Sequence, residues 1–235
     1  MKIEIWSDIM CPFCYIGKRR IERALASFEN KDQVQIVWKS FLLNPDMVTD
    51  PSLSNTEYLA KVKGWSLQQT KQITDQVTAM AAEEGLEYHL DKAVVANSKN
   101  AHRLLQLAKH LEKGDAMKER LLKAYFTEGQ NMDDKETLLQ LALEVGLEKD
   151  RVLNCLNSDE FSEAVEADIY ESRLIGVSGV PFFVLDRKFG ISGAQPLDLF
   201  KQTLEKAWES HLKDRQTIEV ENGPGDSCDI EGNCD

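Results

Sequence analysis

Apolar and polar residues alternate at the start of the chain. Ile3 and Ile5 stand among polar neighbours, a period of two that predicts a strand over residues 2–6. Past a turn at Ser7-Asp8 the period lengthens, and Ile16, Ile21, Leu25 and Phe28 fall on one face of a helix from about Pro12 to Phe28. Residues 33–41 alternate again in their first part and predict a second strand. Strand, helix and strand in this order fit a right-handed crossover between parallel strands. Pro45 and Pro51 then frame a loop. From Ser54 to about Ile175 the pattern is helical, with almost no strand signal. Ser54 with Glu57 and Ser66 with Gln69 have capping-box spacing. Gly64, Gly85, Gly114 and Gly146 stand where glycines end helices. Ala101, Leu104, Leu105, Ala108 and Leu111 form one apolar stripe, and Leu138, Leu139, Ala142 and Val145 another. These marks predict about five to seven helices. Strand chemistry returns at Pro181-Phe182-Phe183-Val184-Leu185, and a turn around Asp186-Arg187-Lys188 leads to Phe189-Gly190-Ile191-Ser192, a hairpin pattern. Pro196 opens a last helix to about Leu212, and residues 213–235 form an acidic tail without apolar period. Sheet-forming segments thus lie at 1–53 and 176–212, with a helical domain inserted at 54–175.

The 235 residues are 42% hydrophobic and 29% charged, enough to bury a sizeable core. A formal net charge of -12 repels nucleic acid and anionic membrane, so neither is an expected partner. No stretch is apolar for long enough to span a bilayer, and Met1-Lys2-Ile3-Glu4-Ile5-Trp6 reads as a strand rather than a leader; the expected location is the cytoplasm. Five cysteines, an odd count in a reducing compartment, argue against a disulfide framework and for catalytic, redox-sensing or metal-binding thiols.

Cys11-Pro12-Phe13-Cys14 carries the candidate chemistry. The pattern places Cys11 at the N-cap of the first helix, Pro12 at N1 and Cys14 at N3. The Cys11 sulfur is then expected to accept from the Phe13 and Cys14 amides, and the positive helix end lowers its pKa from the ~8.5 of a free thiol. Lys18 and Arg19 would add positive field. One turn of separation also suits a disulfide. Cys11 would attack a substrate disulfide and Cys14 would resolve the mixed disulfide. A zinc half-site is the competing reading, but it needs two more ligands, and Cys228 and Cys234 lie at the far end of the chain. Phe13, at the helix start, is a surface candidate for substrate contact, whereas Trp6 and Trp38 read as core. Cys155, among Val152, Leu153 and Leu156, reads as a buried inert thiol. His102 lies beside Arg103 on an amphipathic helix, either as a structural residue or as an auxiliary to the site.

The opening strand, Cys11-Pro12-Phe13-Cys14, the helical insertion and Gly176-Val177-Ser178-Gly179-Val180-Pro181-Phe182-Phe183-Val184 together resemble the DsbA-like thioredoxin superfamily. Phe41-Leu42-Leu43-Asn44-Pro45 and Asn97-Ser98-Lys99-Asn100-Ala101-His102-Arg103-Leu104 are similar to its FrnE-type branch of cytoplasmic proteins. The resemblance implies an α/β chain of thioredoxin-like fold with an inserted all-helical domain. It implies a cis Val180-Pro181 bond beside the thiols, Val180 backbone groups that bind an extended substrate, and a proline that keeps metals away. Pro12, Phe13, Val180 and Pro181 would then bind substrate. The dipeptide Pro12-Phe13 departs from the Pro-His of the periplasmic oxidants, so the expected couple is less oxidising and suits a reductase or isomerase. The Cys228 and Cys234 pair resembles an extra C-terminal pair of some FrnE-like proteins, as a terminal disulfide, a relay to Cys11 and Cys14, or a tail oxidised by chance. No cofactor is expected beyond the redox pair, with glutathione an allowed co-substrate and disulfide-containing proteins or small thiols as partners. Two rivals share this topology or surface: a glutathione-dependent enzyme of the kappa or hydroxychromene-carboxylate isomerase type, against which Cys14 speaks, and a chaperone or binding module.

Overall fold

The computed structural model describes residues 1–216. Four strands form the main sheet: β1 (Lys2–Ser7), β2 (Gln35–Ser40), β5 (Phe182–Leu185) and β6 (Phe189–Ser192), in the order β2-β1-β5-β6. β1 runs parallel to β2, with Ile5 opposite Trp38, and antiparallel to β5, with Ile5 opposite Phe183. Alternation in β1 suggests one wet face, yet every residue after Lys2 is buried because β1 is central and covered on both sides. Glu4 tolerates this by pairing with Arg187. The β5–β6 turn holds Asp186 and Arg187 at φ 51° and 57°, the pair of left-handed residues that a tight hairpin requires.

α1 (Pro12–Ala26) packs against α9 (Leu197–Gln216). Between β2 and β5 lie α2 (Asn55–Lys63), α3 (Leu67–Glu83), α4 (Lys99–His110), α5 (Gly114–Phe126), α6 (Lys135–Glu144), α7 (Lys149–Leu156) and α8 (Ser162–Leu174). Both expected capping boxes are present, at Ser54/Glu57 and Ser66/Gln69. Gly64, Gly85 and Gly146 adopt positive φ at helix ends. Gly114 does not: it opens α5, and Glu112 takes the left-handed position instead. A Cβ on Gly114 would stand 2.7 Å from Lys109 Cγ, so close approach to the end of α4 is what calls for glycine there.

The stretch after Ser54 is not free of strand, and Pro51 lies within one. β3 (Asp50–Ser54) and β4 (Val94–Val95) form a two-stranded ribbon with only two registered pairs and a register shift between them. A strand of two residues is too short for alternation to reveal. α4 is buried along most of its length, and α5 and α8 pack on β2. Ile3 and Ile5 of the sheet and Leu104, Leu105 and Leu138 of the helices belong to one hydrophobic cluster.

Candidate active site

The end of β1 delivers Ser7 and Asp8, and the next turn delivers Cys11 to the N-cap of α1 with extended backbone, φ -91° and ψ 112°. Pro12 begins the helix, where a missing N–H costs nothing. Cys11 is 4% exposed and Cys14 1% exposed, and both are free thiols. The Val180–Pro181 bond is cis, and the Cys11 thiol donates to the Val180 carbonyl at 3.3 Å. Gly17 lets this loop approach: a Cβ there would lie 3.0 Å from Pro181 Cγ and 3.1 Å from Phe183 Cζ. Tyr88 donates from its hydroxyl to the Pro12 carbonyl at 2.7 Å and so fastens the helix start to the loop after α3.

The structure corrects the expected capping bond. The Cys11 side chain accepts no N-cap hydrogen bond, and the Cys14 amide donates to the Cys11 carbonyl at 2.9 Å instead. The expected lowering of the Cys11 pKa is not found either. The hydrogen bond to Cys14, burial and the Cys14 charge hold the Cys11 thiol well above the usual range. Burial opposes ionisation of Cys14 as well, but the Cys11 thiol and the Lys118 ammonium outweigh it and bring Cys14 below its ordinary value. Ser7 Oγ, which lacks a partner of good geometry among the described residues, faces Cys14 and favours the same anion.

The cation at this site is not Lys18 or Arg19. Lys18 is buried against Glu22 and Glu119, and Arg19 is bound to the same two carboxylates, so their field is neutralised locally. Lys118 of α5 takes that place. It is 0% exposed, its Nζ is 3.5 Å from the Ser7 carbonyl and 5.5 Å from the centre of the Trp38 ring, and burial brings its pKa down to about 8 against the pull of Cys14 and Asp8. Asp8 is buried too. Burial penalises its charge, but His102 and the Leu43 and Met10 amides hold it below the usual carboxylate range. His102 Nε2 lies 3.3 Å from Asp8 Oδ1, and burial lowers the pKa of the ring despite that carboxylate. His102 therefore reaches Asp8 rather than a sulfur.

Phe13 is 39% exposed beside the thiols, whereas Trp6 and Trp38 are core. Cys155 is buried, with its thiol pushed up by burial. Cys228 and Cys234 lie outside the described residues. Among the described residues no group of three His, Cys, Asp or Glu side chains is placed to hold a metal ion, and no helix is long and apolar enough to cross a membrane. Lys118, Asp8, Ser7, Gly17 and Tyr88 are site residues that pattern reading passed over. For Lys118 a signal existed: it shares a helical face with Leu121, Leu122 and Tyr125, all buried.

A family model of the DSBA-like thioredoxin domain matches residues 2–205. A crystal structure of the probable DsbA oxidoreductase SCO1869 from Streptomyces coelicolor is 35% identical, with a TM-score of 0.87 over 100% of this chain and 98% of that one. A 2-hydroxychromene-2-carboxylate isomerase shares the fold at 14% identity and TM-score 0.67, covering 92% of this chain and all of that one. The cytosolic disulfide reductase DsbM from Pseudomonas aeruginosa shares it at 19% identity and TM-score 0.62, over 89% of this chain and all of that one.

Proposed function

Because the chain belongs to the DSBA-like thioredoxin domain family, we propose that it catalyses dithiol–disulfide exchange as a reductase or isomerase, with Cys11 attacking and Cys14 resolving. The observation that carries this reading is a buried thiol pair set between the Val180 carbonyl and the Lys118 cation. Two thiols in contact share their last proton, so ionisation belongs to the pair. Access then decides the roles. Cys11 is the less buried of the two and touches the Val180 loop, where an extended substrate would add its backbone. As substrate approaches, the proton passes to Cys14, and the Cys11 thiolate attacks one substrate sulfur. The substrate S–S bond breaks, and the departing thiolate takes a proton from solvent. Cys14, deprotonated beside Lys118, attacks the Cys11 sulfur and releases the second substrate thiol. The enzyme is left as a disulfide and two electrons have passed to the substrate. Two equivalents of a thiol such as glutathione reset it and leave as their own disulfide.

On this reading no cofactor is needed beyond the sulfur pair. The partners are disulfide-containing proteins or small thiols, and the net charge of -12 disfavours nucleic acid and anionic membrane. We assign the reaction to the cytoplasm, where a reducing thiol pool would drive it. Insulin reduction with a thiol donor tests the proposal. Cys11→Ala is expected to fall to the uncatalysed rate while Cys155→Ala retains full rate; equal loss in both overturns the assignment. Glutathione transfer to an electrophile that survives Cys14→Ser would favour the glutathione-dependent alternative.

A further inference from the structure

The two helices that carry the thiol site belong to different packings. α1, which bears Cys14, lies against α9 and α3, whereas α5, which bears Lys118, lies against α4, α6 and β2. A cluster of charges joins them. Glu119 of α5 accepts from Tyr15 Oη at 2.6 Å through Oε1 and from Arg19 Nη1 at 3.0 Å through Oε2. Arg19 Nη2 also donates to Oε1, and Lys18 Nζ stands 3.0 Å from Oε2. All three partners lie on α1 just after Cys14.

This cluster brackets Lys118. Asp115 and Glu119 stand one turn apart on α5, with Lys118 between them in sequence. Asp115 Oδ1 accepts from Trp38 Nε1 at 2.9 Å, and Lys118 Nζ lies 5.5 Å from the centre of that Trp38 ring. Two carboxylates at this helical spacing repel each other. Lys18, 2% exposed, answers both, with Nζ 3.7 Å from Asp115 and 3.0 Å from Glu119. Burial opposes the Glu119 charge, yet Arg19, Tyr15 and Lys18 bring its pKa down to about 2, so it stays ionised wherever thiols titrate.

Resting on the exchange reaction above, we propose that Glu119 is a positioning residue of the thiol site: by clamping α1 to α5 it sets how far the Lys118 ammonium stands from Cys14. Attraction between a cation and a thiolate falls with distance, and it is large only where water is excluded, as at this buried pair. A small shift of α5 along α1 therefore costs thiolate without touching a sulfur. Asp8 and His102, the other titratable groups beside the pair, take no part in the clamp. Asp8 is held by the Met10 and Leu43 amides, Ser98 and His102.

The test reads thiolate directly, as the pH dependence of iodoacetamide alkylation at Cys11 in the reduced protein, mapped by mass spectrometry. The pair ionises as a unit, so Cys11 reports it. Glu119→Gln keeps the size of the side chain, and Lys18 and Arg19 both keep Glu22. Its midpoint is expected about half a unit above wild type, roughly threefold less thiolate below both midpoints. Glu119→Ala, which also takes the acceptor from Tyr15, should move it further, up to about one unit. In the Lys118→Met background Glu119→Gln should produce no further rise. Direction separates the clamp from a plain charge effect, because removing a carboxylate alone favours thiolate and lowers the midpoint. A midpoint unchanged or lowered in Glu119→Gln, or the same rise without Lys118, overturns the proposal. A wild type that alkylates with a normal profile yet exchanges no disulfide would instead overturn the underlying reaction, with the clamp still read from alkylation.

Discussion

Two buried polar clusters differ in how completely their groups are paired. Around Asp168 of α8, the carboxylate accepts from Lys39 Nζ at 2.9 Å, the Ser40 amide at 2.9 Å and Gln106 Nε2 at 2.6 Å, with Lys109 Nζ 3.7 Å away. Its own carbonyl accepts from Trp6 Nε1 at 2.9 Å. Around Lys118 the ammonium has one long contact, to the Ser7 carbonyl, while Ser7 Oγ and His102 Nδ1 have no hydrogen-bond partner among the described residues. A saturated network ties α8 to β2 and α4. On the proposed reaction, an unsaturated one holds charge in reserve for atoms whose protonation changes, the two sulfurs.

The largest effect expected from this contrast is on stability at Asp168. Asp168→Ala takes the acceptor from the Ser40 amide and one of two acceptors from Lys39, which keeps Glu171, and from Gln106, which keeps Ser40 Oγ; it should cost about 3 kcal/mol, the upper end of the range for a buried donor left unsatisfied. Urea denaturation reads the loss, and the exchange rate per folded molecule should match wild type. A slowed exchange with stability intact would show that the two clusters are not separable.

Lys118→Met should act with the opposite sign. A buried cation with poor contacts opposes folding, and an apolar side chain of similar length removes that cost, so we expect a gain of about 1–3 kcal/mol at neutral pH. The pH dependence is specific. Lys118 titrates at about 8 in the fold against an ordinary 10.5, so between these values the unfolded chain binds more protons. Stability from this group is lowest below about pH 8 and rises as pH climbs toward 10.5. The disulfide form is the one to denature, since its sulfurs do not titrate; without their anions the lower edge of the window moves further down. The variant should lack this slope. It also deprives the Cys14 thiolate of its cation, so exchange at neutral pH should slow roughly tenfold, one pKa unit being about 1.4 kcal/mol. A variant less stable than wild type, or one that keeps the slope, would place Lys118 with the saturated kind.

Much of this contrast could be seen from the chain only in outline. The Cys11-x-x-Cys14 spacing after a strand and before a helix marks the site, because N-cap position and helix start are local properties. The surroundings that shift the two thiols were not legible. The directions come from burial, from the contact between the two thiols and, for Cys14, from Lys118, more than a hundred residues away. Lys18 and Arg19 look like the cations of the site because they are near in sequence, yet Glu119 and Glu22 claim them. The β3–β4 ribbon escaped notice because β4 has only two residues and β3, Asp50 to Ser54, carries a single apolar side chain besides its proline.

The smallest effect expected concerns shape rather than charge. Gly17 stands inside α1, where alanine is the better helix former by up to about 1 kcal/mol. Its added methyl would meet Pro181 Cγ at 3.0 Å and Phe183 Cζ at 3.1 Å, against a proline ring and a buried aromatic with little freedom to move. The two effects nearly cancel, so Gly17→Ala should lower stability by no more than about 1 kcal/mol. The Val180 carbonyl, 3.3 Å from the Cys11 thiol, belongs to the loop that would be pushed away. Exchange should therefore slow by a few-fold to about tenfold, since a small misplacement of a positioning group is costly in rate. The test compares the second-order rate on a small disulfide with the urea midpoint of the same variant. A fall in rate with the midpoint nearly unchanged would mean that the thiol site depends on close packing as well as on the unsaturated charge beneath it. A fall in midpoint with the rate preserved would mean that Gly17 serves the fold, as Asp168 does.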